Sequence, residues 1–335
     1  MVVQPEFTIR LTRRNNQLTI KSLKVSLLQL TFAGFILYFC KMFYRRKIIL
    51  ALLQLFGGEL EKIRLQKLLF MLGHKQQAAV YDFVPYKFGC YSYSANADLT
   101  AMVKHGIITE TETAFAILQK DNYLKLVKDT DYKLLHEIKK LYGTMNTEAL
   151  MKHTYIDYPY WATHSVKAKD MLSSAEYRSV TESKPDSDKT ILFTIGYEGI
   201  SLEEYLNRLL KNSIKVLVDV RNNPLSMKFG FSKSQLTRYC ENLGVLYMHF
   251  PDVGIQSGER QELNTQADYD RLFSSYRLNN LSNTIPTQIK ILQLLQQYKR
   301  IALTCFEADI CQCHRTHLAN AIKALPGFEY ELKHI

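Results

Sequence analysis

Five residues near the C-terminus have side chains that could bind a ligand or carry out chemistry. Cys305 and Glu307 follow a short apolar run, and Cys313, His314 and Arg315 open the next predicted helix. Thiols, imidazoles and carboxylates serve as nucleophiles, acids and bases, and a guanidinium binds carboxylate or phosphate. The alternative is a core strand followed by a helix that happens to carry two cysteines. The spacing alone leaves both interpretations open.

Metal binding is a second chemistry for this segment, because Cys305, Cys311, Cys313 and His314 all offer soft ligands. One residue separates Cys311 from Cys313, however, where zinc sites usually have two or more, and no second Cys/His pair occurs upstream. We therefore expect neither a metal nor another cofactor here.

The elements that position these residues alternate between apolar runs and helical patterns. The predicted strands are 191–195, 215–220, 245–250, 301–305 and 328–333, and the predicted helices are 201–212, 232–243, 268–278, 286–298 and 313–325. Ser201 with Glu204 and Ser232 with Gln235 match the capping-box pattern. The alternation predicts an α/β fold in which helices cover both faces of a parallel sheet, a Rossmann-like, three-layer domain.

Each predicted strand is followed by distinctive side chains. In a parallel sheet these strand ends share one edge, which is where open α/β folds bind ligands. The candidate ligand-binding residues near this edge are Gly196, Tyr197, Arg221, Asn223, Pro224, Cys313 and Arg315. Their convergence predicts a binding site better than any single motif does.

The chemistry of this edge favours an anionic ligand. Arg221 and Arg315 provide planar donors for phosphate or carboxylate, and we expect them to approach one another. The predicted helix start at Cys313 adds backbone amides and a positive dipole end, which should lower the pKa of the Cys313 thiol.

Glu307, Cys305 and His314 are the candidate catalytic residues. Glu307 lies two residues after Cys305, so in an extended segment both side chains point into the site and Phe306 points away from it. Glu307 would take a proton from a ligand or orient an arginine, and His314 would act as a general acid. No motif joins a nucleophile to its base, so the sequence leaves open whether the protein is an enzyme.

The C-terminal half resembles the DUF488 family. The similar segments are TIGYEGISLEEYL (194–206), LVDVRNNPLSMKFGFS (217–232), LGVLYMHFPDVG (243–254) and TCFEADICQCHRTHLA (304–319). Since the biochemistry of that family is poorly defined, the resemblance implies a fold and the positions of site residues but no substrate.

Residues 42–170 form a separate predicted domain. Helical patterns at 47–56 and 60–72 are divided by Gly57 and Gly58, and a helix at 99–105 precedes a short strand at 107–109. This order predicts a mainly helical, winged-helix-like unit.

This N-terminal domain resembles bacterial YwgA-like domains and the related Panacea-type (SocA-like) antitoxin domains. The similar segments are LQKLLFML (65–72), FVPYKFGCYS (83–92), DLTAMVKHGIIT (98–109) and TEALMKHTYIDYPYWATHS (147–165). The resemblance implies a module that binds a protein partner or regulates one, rather than an enzyme.

The remaining segments are a leader, residues 1–41, and a polar linker, residues 171–189, which joins the second domain, 190–335. The leader is basic and contains an apolar run at 25–40 that is shorter than the roughly 20 residues needed to span a bilayer. It could be a marginal membrane anchor, a packed helix or an extension that is not natively translated, and we favour the last.

The charge distribution argues against a DNA-binding domain as the main function. The net charge is +11, but the first fifty residues hold nine Lys or Arg and one Glu, so the folded part is nearly neutral. The six cysteines show no disulfide framework, which favours a reducing, cytoplasmic compartment without stable membrane association.

Two functions fit these observations. The first is binding or processing of a nucleotide, a nucleic-acid phosphate or another anionic ligand at the sheet edge. The alternative is a non-enzymatic sensor in a stress, toxin–antitoxin or phage-defence system, whose N-terminal domain contacts a protein partner; this rests on resemblance of the first domain.

Overall fold

The structure of the chain is a computed structural model that describes residues 7–14, 17–25, 42–119, 121–260 and 263–335. Strands β1 (Phe7–Arg14) and β2 (Gln17–Val25) pair antiparallel. Beyond Val25, the apolar run predicted at 25–40 lies outside the described residues. Among the helices that the structure describes, none has the length and apolar character needed to cross a bilayer.

The N-terminal domain is mainly helical. Its helices are α1 (Tyr44–Leu55), α2 (Lys62–Lys75), α3 (Tyr93–Lys104), α4 (Asp129–Tyr142), α5 (Thr147–Asp157), α6 (Ala168–Met171) and α7 (Ser174–Glu182). Its strands are β3 (Glu59–Glu61), β4 (Val84–Tyr86), β5 (Gly89–Tyr91), β6 (Ile108–Glu110) and β7 (Ala114–Ile117). Strands β3, β7 and β6 form an antiparallel sheet in that order, and β4 pairs with β5.

The core of this domain comes from the apolar faces of α1 and α2, which bury residues such as Ile49, Leu52 and Leu68. The predicted break between them is confirmed, because Gly57 and Gly58 turn the chain with φ values of 101° and 93°. Residue 60 was predicted to begin the second helix, but it lies in β3, since the backbone pairs with β7 before α2 begins.

The segment predicted as a polar linker, 171–189, is largely helical in its first half. Helix α7 begins there with a capping box, in which Ser173 and Glu176 satisfy each other's backbone amides. Val180 of this helix is buried against the α5 region. The packing of Val180 and the capping box together stabilise a helix in this segment despite its polar composition.

A five-stranded parallel sheet forms the centre of the C-terminal domain, which confirms the predicted α/β class. Its strands are β8 (Ile191–Gly196), β9 (Val216–Asp219), β10 (Leu246–His249), β11 (Arg300–Cys305) and β12 (Glu331–His334). Their order across the sheet is β10, β9, β11, β8, β12, and all neighbours are parallel. The fifth strand begins at Glu331 rather than at 328, because Phe328 and Tyr330 pack on the core from the preceding loop.

Helices cover both faces of this sheet. They are α8 (Leu202–Lys211), α9 (Lys233–Asn242), α10 (Gln266–Ser275), α11 (Ile285–Tyr298) and α12 (His314–Lys323), and a π-helical turn at Tyr276–Leu281 extends α10. Alternate residues of each strand face opposite layers. Phe193 and Leu217 pack with α8 and α9, and Leu192 and Val218 pack with α11 and α12.

The two predicted capping residues behave differently. Ser201 caps α8, because its hydroxyl accepts a hydrogen bond from the Glu204 amide at 3.0 Å. Ser232 precedes α9 but does not cap it. Its hydroxyl instead bonds both the amide and the carbonyl of Ser226, which ties down the loop that follows β9.

The two domains share a buried interface on α8. The Glu203 side chain is fully buried and accepts hydrogen bonds from the Ser94 amide at 2.7 Å, from the Ser94 hydroxyl at 3.0 Å and from the Ser92 hydroxyl at 3.2 Å. Burial raises the pKa of Glu203, although the bonds from Ser94 and Ser92 oppose that change. Its carboxylate lies at the N-terminus of α3, where the helix dipole favours a negative charge. Asn207 adds a 2.6 Å bond to the Phe83 carbonyl.

Replacing Glu203 with alanine should weaken this interface. The Ser94 amide would lose its acceptor inside the interface, which typically costs about 1–3 kcal/mol of stability. The neighbouring Glu204 is half-exposed and pairs with Arg208 one turn later, so Glu204→Ala is a matched control that should change stability by less than about 0.5 kcal/mol. Urea unfolding measures the stability of both variants. An equal loss of stability in the two would show that Glu203 does not hold the domains together.

Candidate functional site

The candidate site lies at the carboxyl ends of the three central strands, β9, β11 and β8. A cavity of about 300 Å³ opens there. The residues that line it are Tyr197, Arg221, Asn222, Asn223, Leu225, Ser226, Met227, Ile255, Cys305, Phe306 and His314. The sheet edge predicted from the sequence therefore carries a cavity that contains several of the predicted residues.

The loop after β11 is held tightly against the end of β8. The Tyr197 and Glu198 amides donate to the Phe306 carbonyl at 3.1 and 2.9 Å, and the Ala308 amide donates to the Glu198 carboxylate at 3.0 Å. A Cβ atom on Gly196 would lie 1.9 Å from the Glu307 carbonyl oxygen, so only glycine permits this approach. Gly196 is thus a packing residue that lets the loop reach its position.

Four chemically active side chains meet in this loop. The Cys305 thiol donates to Glu307 Oε2 at 2.9 Å, and the Cys313 thiol donates to the same oxygen at 3.1 Å. Cys305 Sγ also lies 3.5 Å from His314 Nδ1. One ligand atom from each residue lies within 4.8 Å of the others. Both side chains were expected to point into the site; Cys305 lines the cavity, whereas Glu307 is not among its described lining residues and contacts Cys305 instead.

The tautomer of His314 follows from its second ring nitrogen. His314 Nε2 lies 3.0 Å from the Val220 carbonyl oxygen, which can only accept a hydrogen bond. Nε2 therefore carries the proton in the neutral ring, and Nδ1 presents its lone pair toward Cys305. Helix α12 begins at His314, and the ring is buried.

The predicted lowering of the Cys313 pKa is wrong. Burial raises the pKa of the Cys313 thiol well above its usual value, and the neighbouring Cys305 and Glu307 raise it further. Arg315 acts in the expected direction but is outweighed. The helix start was correctly placed, since Cys313 immediately precedes α12, but the sequence did not reveal that the thiol is fully enclosed.

Arg221 lines the cavity but its guanidinium also has protein partners. Nε lies 2.9 Å from Asp219 Oδ1, and Nη1 donates to the Tyr197 hydroxyl at 2.7 Å and to the Phe231 carbonyl at 2.9 Å. Burial alone would lower the pKa of Arg221, but the bonds to Asp219 raise it above its usual value. The cation is therefore fixed in orientation, and Asp219 offsets part of its charge.

Arg315 holds the backbone of the loop. Its guanidinium donates to the carbonyl oxygens of Glu307 and, at 3.2 Å, of Ala308. Its side chain is buried and is not among the described residues that line the cavity. Arg221 and Arg315 both lie at the predicted sheet edge, but the first supports the cavity wall and the second supports the loop that carries Glu307.

The remaining predicted residues also divide into those that line the cavity and those that only shape the backbone around it. Tyr197 and Asn223 line the cavity, whereas Pro224 accepts a backbone hydrogen bond from Lys233 at 3.0 Å and shapes the turn before α9. Phe306 was expected to point away from the site, but it lines the cavity and its ring lies 5.3 Å from that of Tyr197. Since β11 ends at Cys305, the strand alternation does not continue to Phe306.

Comparison with known families covers part of the chain. Residues 201–322 match the family described as "Domain of unknown function DUF488". The matched segment includes Arg221, Asn223 and the loop from Cys305 to Arg315. No curated protein matches the chain. The resemblance of the N-terminal domain to YwgA-like and Panacea-type domains stays a prediction.

Several residues that shape the matched segment were not among the predicted site residues. Asp219 ends β9 and accepts hydrogen bonds from both Arg221 and Tyr247, and the cavity also includes Asn222 and Ser226. An acidic residue two positions before an arginine was a usable signal for Asp219. The sequence gives no comparable signal for Tyr247, which comes from the neighbouring strand.

A second feature was missed in the N-terminal domain. Lys67 is buried, donates to the Cys90 carbonyl at 3.0 Å, and has its pKa lowered by burial. It lines a cavity of about 470 Å³ together with aromatic side chains such as Phe88 and Phe115. The sequence placed Lys67 on a helix with an apolar face, where a lysine is normally exposed.

Replacing Gly196 with alanine should displace the loop that carries Glu307. The added methyl group would overlap the Glu307 backbone, and overpacking of this kind typically costs about 1–3 kcal/mol of stability. Gly258→Ala is the control, because Gly258 is exposed and no atom beyond its two chain neighbours lies within 4 Å of the position that its added methyl group would take. Thermal unfolding measures the difference, and a Gly196 variant as stable as the control would contradict the close packing.

Proposed function

We propose that the C-terminal domain binds a small anionic ligand, of the size of a nucleoside monophosphate or smaller, in the cavity at the carboxyl edge of its sheet. The observation that carries this proposal is the presence of Arg221 in the wall of a cavity that Cys305 and His314 also line. Its volume of about 300 Å³ is at the lower end of the range of roughly 300–1,000 Å³ for small-molecule sites.

The polar lining supports recognition of an anion. Asn222, Asn223 and Ser226 bring amide and hydroxyl groups to the same cavity as the Arg221 guanidinium. Lys228 is not among the described lining residues, but its ammonium group donates at 2.5 Å to the carbonyl of Tyr197, which lines the cavity, so a second cation lies beside the cavity. Two cations and several neutral donors suit a phosphate group, whose oxygens accept many hydrogen bonds.

A regulatory function is the second candidate, and the position of α8 favours it. Tyr197 lines the cavity, and the same loop leads to Ser201, whose hydroxyl donates to Asp82 of the N-terminal domain at 2.7 Å. Glu203 then continues the interface with Ser94. A ligand that moves the loop after β8 would therefore act directly on the N-terminal domain, which would pass the change to a protein partner.

A single charge change tests the anion site. The Asn223 side chain accepts a hydrogen bond from the Leu225 amide at 3.2 Å, so Asn223→Asp keeps this acceptor while adding a negative charge to the cavity. Isothermal titration with AMP should show binding to the unchanged protein. In the variant, an added like charge at an effective dielectric of about 20 should weaken binding by about tenfold or more.

Asn146→Asp is the matched control, because Asn146 also accepts a backbone amide, at 2.8 Å, but caps α5 in the N-terminal domain. It should leave AMP affinity unchanged. Adenosine, which lacks the phosphate, should bind far more weakly than AMP, and inorganic phosphate should compete with AMP. If neither AMP nor phosphate binds, or if both variants lose affinity equally, the anion site is refuted. Slower hydrogen exchange at 92–94 on adding AMP would favour the regulatory function.

A further inference from the structure

The described part of the chain contains one cluster whose donor atoms suit a transition metal. It comprises Cys305, Glu307, Cys313 and His314, and one ligand atom from each lies within 4.8 Å of the others. Thiolate and imidazole are the donors that zinc prefers, and a carboxylate is a common additional ligand. Cys305, Cys313 and His314 are all buried, which separates the cluster from the ordinary acidic patches of protein surfaces.

The separation of Cys305 Sγ and His314 Nδ1 agrees with tetrahedral coordination. Bonds of about 2.3 Å to sulfur and about 2.0–2.1 Å to nitrogen would place the two ligand atoms about 3.5 Å apart. The observed separation of Cys305 Sγ and His314 Nδ1 is 3.5 Å. Glu307 Oε2 lies closer to both sulfurs, at 2.9 and 3.1 Å, as a hydrogen-bonded carboxylate does. An ion would replace the two thiol protons and would require only a small outward movement of this oxygen.

The histidine provides a second, independent observation. Nε2 of His314 is directed to the Val220 carbonyl at 3.0 Å, so Nδ1 faces the Cys305 thiol with its lone pair. Metal-bound histidines usually donate the other ring N–H to a carbonyl or carboxylate, which fixes the ring for coordination. His314 thus has the tautomer and the outer contact that a metal ligand needs.

The surrounding charges complete the arrangement. Two thiolates and one carboxylate around a divalent ion would leave one excess negative charge. Arg315 follows His314 directly and donates to the Glu307 carbonyl, so its cation lies beside the cluster and offsets that charge. Its two backbone contacts also hold the loop that carries Glu307 in place.

The geometry points to a binding site for one divalent transition-metal ion of the zinc class, held by Cys305, Glu307, Cys313 and His314. Cys305 and His314 also line the cavity at the sheet edge, so the ion would lie at its inner wall. A ligand in the cavity would then meet the ion directly if Glu307 yields its position. The site does not rest on the proposed anion binding, because its donors and geometry stand without any ligand.

The path of this loop explains why the cysteine spacing in the sequence did not indicate a metal site. Metal sites in sequences are usually recognised by paired cysteines, and Cys311 was the natural partner of Cys313. In the structure Cys311 is exposed and lies outside the cluster. Glu307 replaces Cys311 as a ligand of the cluster, because the loop folds back so that the end of β11 faces the start of α12.

Cobalt titration of the reduced, chelator-treated full-length chain tests the site. Co²⁺ should bind with one-to-one stoichiometry and produce the near-ultraviolet charge-transfer absorption of a thiolate complex, and Zn²⁺ should displace it. Removing a group that only hydrogen-bonds to a metal ligand typically lowers metal affinity by about 10–100-fold. Cys305→Ser and Cys313→Ser should therefore each weaken Co²⁺ binding by more than about 100-fold.

Cys311→Ser is the matched control, since Cys311 lies in the same loop but outside the cluster, and it should bind Co²⁺ like the unchanged chain. Circular dichroism establishes that each variant is folded. The unchanged chain decides the question even if the serine variants do not fold: absence of the thiolate absorption at micromolar cobalt overturns the site. Equal loss in Cys311→Ser and Cys313→Ser overturns it as well. No anion is present, so this outcome is independent of the AMP titration.

Discussion

The contact between the end of β8 and the backbone of 306–308 is the constraint on which the site depends. The Tyr197 and Glu198 amides bond the Phe306 carbonyl, and Gly196 leaves room for the Glu307 backbone. Without this contact the loop after β11 would be free to swing away from the sheet. With it, the carboxylate of Glu307 is held where the thiols at the end of β11 and the start of α12 meet. The cavity wall and the cysteine cluster thus share one support.

The same strand also connects the site to the second domain. The chain leaves β8 through Tyr197 in the cavity wall and enters α8, whose Glu203 is buried against Ser92 and Ser94 of the N-terminal domain. Burying a carboxylate is costly unless its oxygens are hydrogen-bonded. The three bonds that Glu203 accepts offset that cost and fix the relative position of the domains. A structural change at the cavity is therefore connected to the N-terminal domain through Tyr197 and the buried contacts of α8.

Much of the C-terminal fold could be predicted from the sequence, because buried parallel strands give continuous apolar runs and the helices between them keep their 3.6-residue period. The carboxyl ends of the strands fall within one residue of the predicted ones, so Arg221, Cys305 and Glu307 were placed at the correct edge. What each side chain contacts was not predictable. The pairing of Arg221 with Asp219 and the enclosure of Cys313 depend on contacts made by the folded loops, which leave no periodic signal.

The end of β11, the loop after it and the start of α12 together form one metal-binding site from four positions. X-ray absorption spectroscopy of the zinc-loaded, reduced protein tests it most directly, because scattering shells report the ligand types. Two sulfur atoms at about 2.3 Å and two nitrogen or oxygen atoms at about 2.0–2.2 Å from zinc are expected. A shell of oxygen and nitrogen atoms alone, without sulfur, would contradict this site.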